Sequence, residues 1–558
     1  MFTHSNKWTN SCLNYSLVQY IAYDRPLFYR PNMSDKLEKP IIALTSVHPL
    51  REVWSIAWPT VMTMTSYTVM QFVDALMVAR VSPLAVAAQG NGGIWSFTPI
   101  AFAFGLLTVV NTYVSQNLGA NTPQNSPKYA WASFWLSLLI WVVVLLPFAF
   151  CLPWLFEYLH SGQAIENVDE LVHLESGYAK ILLIGAVILM TGKGLHHYFF
   201  GMHRPKVVTI SALAGNIVNI VANYILIFGE DGLPALGLPG IPGVKPMGLF
   251  GAAIGTVLGT LVELAIPAAI FLGPKMNAEF KTRQNWKPSW SPIKDLCKLG
   301  WPAALQFGNE IICWSIFMTV LVGKFGAEHM TAGWAVLKFM HLSFMPAVGF
   351  SVATTSLVGK YIGAGQPDVA ASRARWALGI AMVYMTICAL IFFFFRADLI
   401  SWFVGGKNVT PEQAEMIISI GSKLMICAAI FQTVDAFGIV YTGALRGAGD
   451  TVWPGVVTVI YSWSFIVLGG LGMTVVWPEL ESVGPWIAAS VYIILYGITM
   501  AWRFESGRWR SIKLLGTARE EAAEIAPIGP GIPAGDATAA VRDIAESMVD
   551  ASQPKSKD

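Results

Sequence analysis

The chain has 558 residues, of which 54% are hydrophobic and only 13% are charged, and its mean hydropathy is +0.54. A soluble domain carries roughly 25% charged residues, so this composition excludes a soluble globular protein and predicts an integral membrane protein. The net charge of only +2, without a long basic run, gives no reason to expect nucleic acid or another polyanion as a partner.

Twelve apolar segments are long enough to be membrane spans, since a spanning helix needs about 20 apolar residues. They predict an all-α integral membrane protein with about 12 transmembrane helices. In chain order the segments lie at 53–79, 86–115, 130–155, 177–200, 207–228, 249–272, 298–322, 329–358, 375–395, 415–444, 453–476 and 484–502.

The loops predict the orientation of these spans. Cations collect after the even-numbered spans up to the tenth, as at Lys128, Arg204, Lys281 and Arg446, and the positive-inside rule places such loops in the cytoplasm. The opposite loops are acidic or rich in glycine and proline. We therefore expect a multi-pass protein of the plasma (inner) membrane with both termini cytoplasmic.

An internal repeat divides the spans into two sets of six. Trp58-Pro59 recurs as Trp301-Pro302, Leu118–Ala120 recurs as Ile362–Ala364, and Gly201–Arg204 recurs as Gly443–Arg446, so three landmarks keep an offset of about 243 positions by subtraction. Because six is an even number, both halves enter the bilayer in the same direction. The repeat predicts two six-helix lobes related by a parallel pseudo-twofold axis, with a cavity between them.

The repeat and the charge pattern together set the predicted domain boundaries. The N-terminal extension is expected to be cytoplasmic, with Met33 as an alternative start, and the acidic, Ala- and Pro-rich C-terminal tail is expected to be disordered. The predicted parts are an extension at 1–50, an N-terminal lobe at 51–273 with helices 1–6, an interlobe linker at 274–297, a C-terminal lobe at 298–505 with helices 7–12, and a tail at 506–558.

Three carboxylates interrupt the apolar segments, although a charged group in hydrocarbon costs about 2.5 to 3.5 kcal/mol on insertion scales. Glu310 lies near the middle of span 7, and Asp435 lies in span 10. Two acids from different helices of one lobe could share a cation or a proton, and we interpret them as coupling residues. Asp74, near the outer end of span 1, is either a further coupling residue or a side chain that snorkels to the interface.

The N-terminal lobe offers a set of oxygen ligands around Asp74. Asn219 and Asn223 are four residues apart on one face of span 5, and Thr256 lies on span 6. Carboxylate, amide and hydroxyl oxygens suit a hard cation such as sodium. Hydrogen bonding between helices is the alternative use of these polar residues.

Two further sets of residues need an interpretation, and only the second is a candidate for contact with a substrate. Lys193 in span 4 is the repeat counterpart of Asp435, and it either opposes an acid of the N-terminal lobe or snorkels to the nearby turn. Aromatic and methionine side chains can contact an organic cation through cation–π and soft interactions, although most such residues simply pack helices. The candidates for the wall of the cavity are Tyr67, Met70, Met318, Trp334 and Met345.

These features resemble the multidrug and toxic compound extrusion (MATE) transporters, in particular the NorM-like branch. The resemblance covers roughly residues 50–505 and depends on the order of seven stretches: "LREVWSIAWPT", "QFVDALMVAR", "NTYVSQNLGA", "GNIVNIVANYILIFG", "LGWPAALQFGNEI", "SLVGKYIGAGQ" and "GALRGAGDT". It implies an antiporter that exports amphipathic, often cationic organic compounds, driven by sodium or proton re-entry. It also implies coupling roles for Glu310 and Asp435 and a cation site at Asp74, Asn219, Asn223 and Thr256, where some relatives carry Asp at the position of Asn223.

Other function classes fit the sequence less well. A flippase or exporter of a lipid-linked or polysaccharide precursor could share the two-lobe architecture, but its central cavity would need several cations for a phosphate group, and Lys193 is nearly alone. An enzyme is not indicated, since neither a Walker A loop nor an HExxH motif is present. The six scattered cysteines predict neither disulfides nor a metal cluster. We expect no cofactor beyond Na⁺ or H⁺ as coupling ion, and nothing in the sequence predicts an oligomeric state.

Overall fold

The apolar segments form long helices. A computed structural model describes residues 48–161, 168–232, 237, 239–402 and 410–515, and within these ranges the chain has helices and no strand. Twelve helices are long and apolar enough to cross a membrane, as the sequence predicts. They are α1 (Pro49–Val78), α2 (Leu84–Gly119), α3 (Pro123–His160), α4 (Val168–Gly201), α5 (Pro205–Asp231), α6 (Gly248–Phe271), α7 (Trp290–Phe325), α8 (Ala327–Gly363), α9 (Pro367–Phe394), α10 (Pro411–Ala448), α11 (Val452–Val476) and α12 (Val483–Glu505).

Several helices extend past their predicted apolar windows, because polar first and last turns can remain helical. The helix α4 begins at Val168, so Glu175 lies within the helix instead of the preceding loop, and its carboxylate is fully buried. It accepts a hydrogen bond from Asn91 Nδ2 at 2.7 Å and lies 2.8 Å from His160 Nε2. The predicted extension before residue 48 and the predicted tail beyond residue 515 lie outside the described residues.

The segment predicted as the interlobe linker is partly helical. It contains a short helix, Pro274–Phe280, and its last residues form the first turns of α7, which begins at Trp290. These turns include Lys294 and Lys298. Because such charged residues lower the mean hydropathy, a search for apolar segments leaves these turns out even though their backbone is helical. The apolar part of α7 therefore starts later than the helix itself.

The ends of α10 are specified locally, which keeps the helix continuous around Asp435. The Thr410 hydroxyl accepts from the Gln413 backbone amide at 3.3 Å, and the Gln413 side chain accepts from the Thr410 amide at 3.2 Å, so the two form a capping box. Pro411 occupies the first turn, where its missing N–H costs nothing. The helix ends before Gly449, whose φ of 95° is the left-handed conformation that favours glycine.

The two lobes repeat the same pattern of helix contacts. In the N-terminal lobe α1 packs on α5, α2 on α4, and α6 on both α4 and α5. In the C-terminal lobe α7 packs on α11, α8 on α10, and α12 on both α10 and α11. Each helix therefore has the partners of its counterpart in the other lobe, as the sequence repeat predicts.

The lobes pack against each other at one end of the molecule, which we call the joined end and define by Glu52, Gly119 and Lys360. There α2 approaches α7 and α8 so closely that a Cβ at Gly105 would lie 2.4 Å from the Ala303 carbonyl oxygen, and one at Gly119 would lie 1.7 Å from that of Lys360. By contrast, a Cβ at Gly90, near the other end of α2, would meet no atom within 4 Å. The close contact between the lobes is thus confined to part of the length of α2.

Polar contacts also bridge the lobes at the joined end. The Glu52 carboxylate of α1 accepts from Arg373 Nε at 2.7 Å, from the Tyr361 hydroxyl at 2.7 Å and from Lys360 Nζ at 3.4 Å, all on the C-terminal lobe. His203 Nε2 lies 3.1 Å from the carbonyl oxygen of Ser356. Burial, followed by the charge of Lys360, lowers the pKa of His203 to about 3, so this ring is neutral near pH 7.

Candidate functional site

The structure brings together the four predicted oxygen ligands of the N-terminal lobe. Asp74 of α1 is buried, and its Oδ1 accepts a hydrogen bond from Asn223 Nδ2 of α5 at 2.7 Å. Asn219, one turn earlier on α5, also contacts the Asp74 carboxylate, and its Nδ2 lies 3.4 Å from Thr256 Oγ1 of α6. The carboxylate therefore faces the interior of the lobe, in contrast to the snorkelling alternative.

Two oxygens of this set have no hydrogen-bond donor. The Oδ1 atoms of Asn219 and Asn223 are buried and accept no hydrogen bond from any described residue. Buried polar oxygens are nearly always satisfied by a donor, an ordered water or an ion, so these two orphan oxygens beside a carboxylate are candidates for such a contact. With Asp74 and Thr256 they offer oxygen ligands only, which is the donor chemistry of a hard cation.

A glycine on α6 makes room for this arrangement. Gly255 precedes Thr256, and a Cβ at this position would lie 2.0 Å from Asn223 Oδ1. Any larger residue would displace the Asn223 amide from Asp74. The close contact of α5 and α6 at Gly255 thus fixes the position of one orphan oxygen.

The C-terminal lobe holds two acids without a basic partner in contact. Glu310 of α7 and Asp435 of α10 are both half-buried, and their charges interact. The charge of the buried Arg446 also interacts favourably with that of Glu310, without an ion-pair contact. Neither carboxylate forms an ion pair with a basic residue in the described part of the chain. The two predicted acids of this lobe are thus near enough for their charges to interact.

The N-terminal lobe carries different residues at the equivalent positions. Tyr67 lies 243 positions before Glu310, and Lys193 lies 242 positions before Asp435 (310 minus 67, 435 minus 193). The two side chains are in contact, with Lys193 Nζ 2.6 Å from the Tyr67 hydroxyl and 3.8 Å from the centre of its ring. The same pair of helix positions therefore carries interacting side chains in both lobes, two acids whose charges interact in one and a tyrosine in contact with an ammonium in the other.

The acid that contacts Lys193 was not predicted from the sequence. Glu263 of α6 is buried, and its Oε1 lies 3.0 Å from Lys193 Nζ and 3.4 Å from His196 Nδ1, and it accepts a hydrogen bond from the Tyr67 hydroxyl. Of the two alternatives given for Lys193, the structure shows contact with an acid of the N-terminal lobe and not snorkelling to the turn. The signal was present in the sequence, since Glu263 is the one acid in "GLFGAAIGTVLGTLVELAIPAAIF", the whole of α6.

The predicted lining residues of the cavity separate into two groups. Tyr67 contacts Lys193, while Met70, Trp334 and Met345 keep part of their surface accessible. Met318 is fully buried, so its prediction as a wall residue is wrong for this conformation. It lies in the π-helical segment Phe317–Val322 of α7 and packs into space left by Gly333, where a Cβ would come within 2.9 Å of Met318 Cε.

Twelve apolar helices in two repeated lobes, with Tyr67 and Lys193 of one lobe at the positions of Glu310 and Asp435 in the other, define a two-lobed membrane transporter. The family follows from a match to the MatE family model at residues 59–225 and 302–469, two stretches that begin 243 positions apart (302 minus 59). The chain belongs to the MatE family, whose members are transporters. The double match also agrees with the sequence repeat.

Whole-chain relatives lead to the same family. The multidrug resistance protein MdtK of Yersinia pseudotuberculosis serotype O:1b (strain IP 31758) is 27% identical over 465 residues, which are 82% of this chain and 95% of that protein. The probable multidrug resistance protein NorM of Pseudomonas putida is 27% identical over 489 residues, which are 85% and 98% of the two chains.

Solved structures share the fold. The outward-facing conformation of a multidrug resistance MATE family transporter of the MOP superfamily superposes with a TM-score of 0.72 at 21% identity, covering 84% of this chain and 98% of that chain. A MOP superfamily transporter from Pyrococcus furiosus, whose binding pocket is described as of reverse polarity, gives the same TM-score, identity and coverage.

Proposed function

We propose that this chain is a cation-coupled antiporter that exports amphipathic, often cationic organic compounds by alternating access between its two lobes, with Na⁺ or H⁺ as the coupling ion. The observation that most supports coupling is the pair Glu310 and Asp435, two membrane-embedded acids whose charges interact without a basic partner in contact. Such a pair favours a bound cation or a shared proton, because uncompensated charge in a bilayer is costly.

The N-terminal lobe supports a second ion site. Asp74, with the orphan Oδ1 atoms of Asn219 and Asn223 and the hydroxyl of Thr256, provides the oxygen donors that sodium prefers. Asn223 carries no charge, so the site holds a single carboxylate. We propose that it contributes to transport separately from the acids of the C-terminal lobe.

Alternating access is supported by the uneven packing between the lobes. They are closely packed at the joined end, and the residues near the other end of α2 lack such contacts. The cationic loops predicted to be cytoplasmic, including those with Arg204, Lys360 and Arg446, lie at the joined end. We therefore propose that this conformation is closed toward the cytoplasm and that transport requires the contacts of Glu52 to break.

The proposed localisation is the plasma (inner) membrane with cytoplasmic termini. Reporter tags near Gly162 and Leu236 should be external, and tags near Lys281 and at Asp558 should be cytoplasmic. The positions 162 and 236 lie outside the described residues and serve here only as insertion points. An external C-terminus would contradict the even number of spans.

The substrate class is proposed from the relatives. Both whole-chain relatives are named as multidrug resistance proteins. A lipid-linked or polysaccharide precursor is disfavoured by Lys193, because its ammonium contacts the Glu263 carboxylate at 3.0 Å and is not free for a phosphate group. The proposed partners are thus small organic molecules and the surrounding lipid, and the protein acts as a transporter and not as an enzyme.

Efflux from proteoliposomes tests this function. Purified protein is reconstituted with a fluorescent organic cation, and sodium and proton gradients are imposed separately. We expect efflux above that of protein-free liposomes under one of the gradients. Equal efflux with both gradients and without either would contradict coupling, and no efflux of any organic cation would contradict the substrate class.

A further inference from the structure

The ammonium of Lys193 is held in a cage that we define by Tyr67, Glu263 and His196. Its Nζ lies 3.0 Å from Glu263 Oε1, 2.6 Å from the Tyr67 hydroxyl and 3.8 Å from the centre of the Tyr67 ring. His196 Nδ1 lies 3.4 Å from the same Glu263 oxygen. We propose that this cage is a binding subsite for the protonated amine of a transported organic compound, and that Lys193 occupies it as a tethered competitor when no substrate is bound.

The chemistry of the cage is that of ammonium recognition. A carboxylate supplies the opposite charge and accepts N–H hydrogen bonds, while the face of an aromatic ring attracts a cation within about 6 Å of its centre. Neither contact depends on the rest of the lysine side chain. An alkylammonium group that enters along the same direction would therefore make the same contacts.

Two walls of the cage are more deeply buried than the lysine that occupies it. The side chains of His196 and Glu263 are 3% and 9% exposed, whereas that of Lys193 is 20% exposed. Lysine also has a flexible four-carbon stem, so its ammonium can leave while the carboxylate stays in place. A ligand can thus replace the ammonium without rearranging the acid that binds it.

The repeat gives an independent reason to expect exchange at this position. Tyr67 and Lys193 occupy the positions that Glu310 and Asp435 occupy in the other lobe. There, two acids form no ion pair with a described basic residue, and the proposed function assigns them a mobile cation. In the N-terminal lobe the cation at the same position is part of the chain, and Glu263 of α6 provides the acid.

This inference rests on the proposed export of organic cations and narrows it to compounds with an amino group that can donate hydrogen bonds. It predicts a definite competition. Because Lys193 occupies the cage for most of the time, the apparent affinity for an amine is the intrinsic affinity multiplied by the fraction of cages that Lys193 leaves empty. Removing the competitor should therefore improve binding, whereas removing the acid should weaken it.

Dansylcadaverine is a suitable probe, because it joins a fluorophore to a pentylammonium chain that resembles the lysine side chain. We would measure its binding to purified, detergent-solubilised protein by fluorescence titration, with its N-acetylated, uncharged form as the control ligand. The variants are Lys193→Met, Glu263→Gln and the double variant. The matched control is Lys180→Met, since Lys180 lies on the same helix, 4.9 Å from the Phe150 ring, without a carboxylate partner among the described residues.

We expect Lys193→Met to lower the Kd of dansylcadaverine about tenfold, the value for a competitor that fills nine cages in ten. The gain should vanish in the double variant, and neither Lys180→Met nor the N-acetylated ligand should show it. An unchanged or higher Kd in folded Lys193→Met, or a gain that persists without Glu263, would overturn the proposal and leave Lys193 as a structural partner of α6.

A second measurement covers the case in which Lys193→Met is unstable because Glu263 is left unpaired. The Tm of this variant is then measured with and without n-pentylammonium chloride. We expect the amine to raise the Tm of Lys193→Met and not that of the double variant; equal responses, or a variant that stays unfolded with the amine, would overturn the proposal. If wild type and all variants bind no organic cation and transport none, the proposed substrate class itself fails, which is a distinct outcome.

Discussion

The two lobes share one pattern of helix contacts but differ in charge at equivalent positions. In the C-terminal lobe Glu310 and Asp435 bring two negative charges together without a basic residue in contact. In the N-terminal lobe the same positions hold Tyr67 and Lys193, and the ammonium is neutralised by Glu263. We propose that the first arrangement accepts a mobile cation, whereas the second already contains the ammonium of Lys193.

This difference shows how a duplicated fold can divide its tasks. Helix packing depends on the apolar and small residues that the two lobes retain, so a few polar positions can diverge without loss of the architecture. The N-terminal lobe keeps an oxygen site at Asp74, near the end of α1, and a compensated charge at Lys193, deeper in the lobe. Each difference between the lobes predicts a different response to substitution.

The largest effect is expected for the acids of the C-terminal lobe. Glu310→Gln and Asp435→Asn keep the shape of each side chain but remove the charge that a cation or proton must neutralise in each cycle. We expect either substitution to reduce gradient-driven efflux to the level of protein-free liposomes, with normal membrane insertion. Glu479→Gln, at an exposed acid between α11 and α12, is the matched control and should transport normally. Wild-type efflux in both acid variants would disprove coupling in this lobe.

A smaller effect is expected for the oxygen site of the N-terminal lobe. Asp74→Asn removes its one carboxylate, and we expect efflux to fall about tenfold, a typical size for the loss of coupling between two sites. Efflux is then titrated against external sodium and against pH. A weaker dependence on sodium would identify a sodium site, and a shifted pH profile would identify a proton site. Unchanged efflux in both titrations would confine coupling to the C-terminal lobe.

Crowding the same site should have a more moderate effect. Gly255→Ala places a methyl group against Asn223 Oδ1, and overpacking of this kind costs about 1 to 3 kcal/mol. We expect efflux to fall less than in Asp74→Asn and sodium or proton dependence to weaken in the same way. The control is Gly192→Ala on α4, where the nearest atom, Leu264 Cβ, lies at an ordinary 3.7 Å. Equal losses in both variants would show a general packing defect in place of a defect at the site.

The smallest effect on efflux is expected at the joined end. Glu52→Gln weakens the contacts with Arg373 and Lys360 and should favour separation of the lobes there, measured as faster labelling of a cysteine introduced by Ser356→Cys. Ser356 is fully buried, its hydroxyl donates to the Phe200 carbonyl of the other lobe at 2.6 Å, and a cysteine there is nearly isosteric. Efflux should change less than in the preceding variants, since both conformations remain accessible. The control is Glu505→Gln, which breaks the exposed ion pair with Arg375 within the C-terminal lobe. Equal labelling in the two variants would contradict a role for Glu52 in closing this end.

Much of the fold could be predicted because hydropathy and the repeat act over long stretches of sequence. The twelve spans follow from apolar length, and the two lobes follow from the offset between repeats. Glu263 was missed because its contact with Lys193 depends on how α4 and α6 pack, and Met318 was predicted at the cavity wall although it lies fully buried in a π-helical segment of α7. The extended start of α4 concealed Glu175, which hydropathy places in a loop.

One measurement tests the contrast between the lobes most directly. Efflux of a fluorescent organic cation from proteoliposomes is recorded with and without the driving gradient for two double variants, each of which removes two charged side chains from one lobe. We expect the ratio of the two rates to fall to one in Glu310→Gln/Asp435→Asn and to stay above one in Lys193→Met/Glu263→Gln. A ratio that stays at the wild-type value in the first variant, or falls to one only in the second, would contradict coupling through the C-terminal lobe.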